Sequence, residues 1–326
     1  MLAATERQRL KKISAIIFKA SKKVRILRSL RWPSNARLTF FKNKSQKIPK
    51  IDYEPYDSAE VVAALSEASE LYKDTEYDHW LRKKSDDILK SAIMLENIGT
   101  HSFFKLSAEI YGTPRDTFRD GTTSPLDLAL RFDEIIASFQ KNKSKFSKPK
   151  FISSDELKSI IEDSVEKIFK DQAPKVMVVD NLSAKATASV RRIRIRKSAK
   201  FTHKDINQLI NHEALVHVAT TLNGRMQKSM PVLGANYGSL TKTQEGLAVF
   251  AEFITGSVDV KRMRRLSDRV IANSPSSEEG SQPPSFARKM IELIVKMSGS
   301  KAFQIWDGSF SPLHSFELLF HSSQSS

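Results

Sequence analysis

"LINHEALVHVATTLNG", Leu209 to Gly224, is the stretch on which the reading of this chain turns. Just before it, Thr202 and Asp205 in "THKDINQ" form a helix start signal, and Asn223-Gly224 is a C-terminal stop signal. Residues 202–224 therefore read as one helix. At about 100° per residue, Ile206, Ile210, Glu213 and His217 fall on one side, with His212 beside Leu209 and Val216. Leu215, Val218 and Leu222 cover the opposite side, so the helix is apolar nearly all round and is predicted to be buried. Three ionisable groups in such a place are costly without partners. His212, Glu213 and His217 need something to bind them.

A metal ion is the economical partner. The chain has no cysteine, so any metal must be held by His, Asp or Glu. In the H-E-x-x-H arrangement the histidines share one helix face and the Glu between them is a general base. Here the histidines are five apart, which offsets them by about 140° on an ideal α-helix. Both can reach one ion only if the helix is widened by a π-type turn or bent. The competing expectation is a pair of histidines satisfied by hydrogen bonds in a polar core. The next helix, "GSLTKTQEGLAVFAEFITG", again sets acids among apolar residues: Glu245 and Glu252 are seven apart and share a face. A catalytic zinc site uses three protein ligands and an open position, and His/His/Glu with the Glu on a following helix satisfies that requirement. Spacing alone leaves both Glu245 and Glu252 open as the third ligand.

"HEALVHVATTLNGRMQ" followed by "YGSLTKTQEGLAVFAEFITG" resembles the QEGLA-motif family of proposed zinc peptidases, related to the microtubule-associated tyrosine carboxypeptidases. The resemblance covers roughly 175–265, with weaker similarity through "LENIGTHSFFKLSAEIYGTP" and "LRWPSN". It implies that His212, His217 and Glu245 are the ligands of a Zn2+ ion and Glu213 is the catalytic base. It also implies removal of a C-terminal, aromatic residue from a peptide or protein. Such a reaction needs a cation for the terminal carboxylate, and Arg192, Arg194, Arg196 and Arg225 are the candidates. Tyr237, before the Glu helix, is a candidate donor to the oxyanion.

Outward from this region, "KVMVVD" at 175–180 and "VRRIRIR" at 190–196 read as strands, the second with Ile193 and Ile195 on one face and arginines on the other. The strand at 190–196, just before the active helix, is expected to offer an edge for an extended peptide. Helical patterns occupy roughly 57–110, 124–140 and 153–171, and "KNKSKFSKPK" is a candidate hinge. The predicted fold is α+β, a mainly helical zinc-peptidase-like domain with a small sheet beside the active helix. The predicted division is a basic N-terminal helix and arm at 1–50, a catalytic domain at 51–272, and a linker with a divergent C-terminal segment at 273–326.

Residues 1–50 hold 15 Lys and Arg against the single acid Glu6, so +14 of the formal +16 lies there. Leu10, Ile13, Ile17, Ala20, Val24 and Leu27 recur at helical spacing, with lysines off the seam. The expectation is a helix docked on its own core with a basic outer face. That face could attract an acidic protein, an anionic surface or nucleic acid. No apolar run approaches the roughly 20 residues of a transmembrane helix, and a cytoplasmic location is expected. The function these features imply is zinc-dependent peptidase activity of carboxypeptidase type. The alternatives are an inactive metal-binding homologue or a basic binding module.

Overall fold

The computed structural model describes residues 3–31, 39, 42, 51–141, 150–180, 182 and 185–274. Most of the expected hinge at 141–150, most of "LRWPSN" and the C-terminal linker, helix and tail from 275 onward lie outside the described residues. The chain forms two compact units. Unit 1 comprises Met1–Trp32, Ile51–Gly112 and Thr220–Lys242, and unit 2 comprises Pro33–Lys50, Thr113–Ala219 and Thr243–Ser326.

In unit 1, helix α1 (Ala4–Ser21) buries Leu10, Ile13, Ile17 and Ala20. They pack with Val61 and Leu65 of α3 (Ala59–Glu70) and with Leu81, Ile88 and Ala92 of α4 (Glu76–Glu96). Lys11, Lys12, Lys19, Lys22 and Lys23 are exposed, so the seam and the basic face separate as the spacing predicts. Leu27 leaves the seam and is exposed, because α1 ends at Ser21 and the short α2 (Ile26–Ser29) starts afresh. The predicted division at residue 50 sets α1 apart from 51–112, whereas α1 lies in the same unit as those residues. Its apolar seam is part of the same core as 51–112, and separating it would expose both. α4 starts with a capping box in which Thr75 and Asp78 satisfy each other's backbone N–H groups. Asp78 also accepts from Arg9 of α1 at 2.7 and 2.9 Å. Helix α5 (His101–Tyr111) packs on α4 and completes this part of the chain.

In unit 2, α6 (Pro125–Lys141) pairs with a later helix, α11 (Val260–Ala272). α7 (Ser154–Phe169) is capped by Ser153 and buries Leu157, Ile161 and Val165. That face rests on a three-stranded sheet of order β1-β3-β2, with β1 at Lys175–Val179, β2 at Ala186–Ser189 and β3 at Arg192–Arg196. β1 runs parallel to β3 and β2 antiparallel to it. Ile193 and Ile195 point into the core while Arg192 and Arg194 face out, the alternation predicted for this strand. β3 is however the central strand, so both of its edges are already paired and it offers none to a peptide. β2 takes the edge. Its sequence "ATAS" has no large apolar residue, which is why no strand is legible there. The mainly helical α+β class is thus the one observed, with a small mixed sheet. No helix among the described residues is long and apolar enough to cross a membrane.

Candidate metal centre

The helix that follows β3 begins as predicted. Thr202 caps α8 (His203–Leu209), and Asp205 returns the bond by accepting from the Thr202 backbone N–H at 2.7 Å. From Ile210 to Val218 the backbone is then π-helical, before α9 (Ala219–Met226) resumes the α-form. Bonds from i to i+5 bring residues five apart onto one face. The two rings of His212 and His217 accordingly meet with centroids 5.0 Å apart and planes at 64°. Leu215, on the side of the helix away from Glu213 and expected to be buried, is 42% exposed. The predicted stop at Asn223-Gly224 is not used. Gly224 lies within α9 because the chain at Leu233 crosses it so closely that a Cβ would stand 2.0 Å from the Leu233 carbonyl oxygen.

Helix α10 (Gly238–Ile254) carries the acids. Glu245 Oε1 lies 3.2 Å from His217 Nε2, and Glu245 Oε2 lies 3.6 Å from His212 Nε2. Among the described residues, His212, His217 and Glu245 are the one His/Asp/Glu group whose donor atoms all come within 4.8 Å of one another. Each ring is held from behind. His212 Nδ1 donates to Glu252 Oε1 at 2.6 Å, and His217 Nδ1 donates to Gln244 Oε1 at 3.2 Å. A carboxylate oxygen and an amide oxygen can only accept, so both Nδ1 atoms carry a proton and both Nε2 atoms face Glu245.

The electrostatics favour positive charge at this point. Burial works against a charged His212 ring, yet hydrogen bonds with Glu245 and Glu252 and the charge of Glu213 push its pKa up to about 10. His217 is raised in the same way despite its burial, by Glu245 and Glu213. Burial alone would raise the Glu245 carboxyl, but the two imidazoles hold it well below the usual carboxylate range.

Glu252 shares a face with Glu245 but is not in the donor cluster. It is fully buried, and Arg262 of α11 grips it through Nε–H to Oε2 at 3.0 Å and Nη2–H to Oε1 at 2.9 Å. Sequence reasoning missed Arg262 and Gln244. The signal for Arg262 was indirect: a buried Glu252 demands a cation, and "VKR" after the next helix start supplies the first ones downstream. The apolar residues of α10 do not surround its acids as predicted. Leu247, Phe250, Phe253 and Ile254 are exposed, while the paired Glu252 faces inward.

Glu213 is half-buried and stands outside the cluster. Arg194 is exposed on β3 opposite Thr187 of β2, and Arg196 is half-buried at the end of the same strand. Arg225 and Tyr237 belong to unit 1. Arg225 is exposed on α9, and Tyr237 packs in the core of unit 1 with Lys84 Nζ 4.7 Å above its ring. Burial and the charge of Asp87 push the Tyr237 phenol up to about 12, so it stays protonated and able to donate.

Comparison with curated proteins and with solved structures found no match. The profile of one protein family does match, over residues 38–288, a wider span than the two motif-bearing helices by themselves define. That span includes the π-helical turn, the His/His/Glu cluster and the buried carboxylate behind it, and on this match the chain belongs to the microtubule-associated tyrosine carboxypeptidase family.

Proposed function

We propose that the protein is a zinc-dependent carboxypeptidase with His212, His217 and Glu245 as metal ligands and Glu213 as general base. The observation that carries this reading is the π-helical turn, which places two histidines five apart on one side with Glu245 across from them. The donor set fits zinc. Two histidines and a glutamate are a zinc donor set, and Glu245 approaches them at 3.2 Å (Oε1 to His217 Nε2) and 3.6 Å (Oε2 to His212 Nε2). Two imidazoles, neutral once they ligate, and one carboxylate are the donor set of a catalytic rather than a closed structural zinc site.

Zinc, when bound, supplies Lewis acidity that makes water nucleophilic near neutral pH and offsets charge developing on a carbonyl oxygen. Glu213 then takes the proton from the attacking water and returns it to the leaving amine. The family name supports a C-terminal tyrosine, or another aromatic residue, as the group removed. Arg194 and Arg196 are the cations proposed to hold the terminal carboxylate. The edge strand β2, which lies against the π-helical segment, replaces 190–196 as the strand proposed to align an extended substrate. The exposed lysines of α1 are proposed to attract an acidic protein or anionic surface, and the cysteine-free chain suits a cytoplasmic location.

The test combines metal analysis with peptide hydrolysis. Purified protein should hold close to one zinc per chain and release the terminal residue from peptides ending in Tyr or Phe. Full zinc with no turnover on a C-terminally varied peptide library would replace the enzyme by an inactive metal-binding homologue. A protein that binds no zinc would remove the metal centre itself.

A further inference from the structure

We propose that Glu252, braced by Arg262, is the positioning residue of the metal centre: its carboxylate keeps the His212 proton on Nδ1 and turns Nε2 toward His217 and Glu245. The inference rests on the zinc reading above and concerns which residues make that site bind.

Four observations carry it. The first is that α10 presents both ends of one imidazole with an acid, Glu245 at Nε2 and Glu252 at Nδ1, from positions seven apart on one helix face. The second is that the carboxylate of Glu252 is fixed in its plane. Oε1 accepts from His212 at 2.6 Å and from Arg262 Nη2 at 2.9 Å, with Gln208 Nε2 at 3.5 Å, and Oε2 accepts from Arg262 Nε at 3.0 Å. Third, Arg262 is itself anchored. It sits in the first turn of α11, where its backbone N–H donates to the capping Asp259 at 2.7 Å. The guanidinium fork therefore meets the carboxylate from a fixed start point, which a flexible ammonium would not reproduce. Fourth, the two histidines are held unequally. His217 leans on the neutral Gln244 amide at 3.2 Å, whereas His212 leans on a buried, charge-paired carboxylate. A buried ion pair is poor evidence for stability by itself. Placed directly behind a ligand, it sets the ring's tautomer and direction.

The experiment uses the full chain, stripped of metal and titrated with zinc against a chromogenic chelator. Glu252→Gln should weaken zinc binding by about 10–100-fold. Arg262→Lys, which keeps the charge and loses the fork, should weaken it by about 3–10-fold. Thermal melts of the metal-free proteins report folding separately, and the ring N–H proton of His212 in zinc-loaded protein reports the tautomer by NMR. That signal should be sharp and far downfield in the wild type and altered in both variants. If Glu252→Gln does not fold, the Arg262→Lys affinity and the His212 signal carry the test. Tight wild-type binding with unchanged affinity and an unchanged His212 signal in the folded variants would overturn the positioning role and leave the zinc reading intact. A wild-type chain that does not bind zinc would overturn the zinc reading and this inference with it.

Discussion

Glu213 stands beside a clustered donor without joining the cluster, so the proposed mechanism separates binding from chemistry at the level of single residues. Glu213→Gln is isosteric and removes only the charge. Zinc content should stay near one per chain while hydrolysis of a Tyr-ending peptide falls by about 100-fold or more, the scale for loss of a general base. Loss of zinc in that variant would make Glu213 a ligand instead. His217→Ala acts on the other half of the site. Two protein ligands rarely hold a catalytic zinc, so most of the metal should leave, and full occupancy on metal analysis would show the ligand set to be wrong.

Among the elements, the π-helical segment does what no choice of side chains could do alone. An α-helix would point His212 and His217 about 140° apart, and five-residue hydrogen bonding realigns them. Leu215, on the opposite side of the same segment, is left exposed, so this helix is not buried all round. α9, directly after it, depends on a different contact. Gly224 lets the backbone at Leu233 cross the helix at a distance that admits no Cβ. Helix propensity favours Gly224→Ala, by about 1 kcal/mol in a helix interior. The clash with a backbone carbonyl should reverse the sign and destabilise the protein by about 3 kcal/mol, read as a lower denaturation midpoint. A variant as stable as the wild type would mean that the crossing is looser than the structure shows.

For the molecule as a whole, acid stability should depend on the pair that ties α1 to α4. Burial by itself raises the Asp78 carboxyl, but hydrogen bonds from Arg9 and Thr75 outweigh it and hold the group far below its usual range. A depressed native pKa contributes stability above the unfolded value of about 3.9, and that stability is lost as pH falls toward the native value. Asp78→Asn should therefore destabilise the protein by about 3 kcal/mol at pH 7, because Arg9 loses a buried partner. The gap between wild type and variant should narrow progressively below about pH 4, where the unfolded wild type takes up a proton at Asp78 that the native state does not, a difference the variant lacks. Chemical denaturation at pH 7, 5 and 3 measures this, and a gap that is constant across the three would show that Asp78 does not titrate as the ion pair requires.

Much of this was legible without coordinates, because local patterns encode local structure. The Thr202–Asp205 cap, the α1 seam at Leu10, Ile13 and Ile17, and the Ile193/Ile195 alternation follow from helical and strand periodicity alone. The motif pair around His212 and Glu245 was equally visible, and the histidine spacing allowed a shared ion only on a widened or bent helix. Contacts between distant segments were not. Strand β2 has no sequence signature, and only its pairing with β3 makes it a strand and moves the sheet edge away from 190–196. Arg262 is one basic residue among many until α11 folds back and lays it on Glu252. Gly224 reads as a helix stop until the Leu233 backbone is seen to cross it. The sequence by itself determined the local caps, the α1 seam and the strand alternation, and that the ionisable groups of the active helix need partners, since burial cost and periodicity are properties of the local chain. Only the tertiary structure decided which partner meets each need, because partners far apart in the chain are chosen by packing.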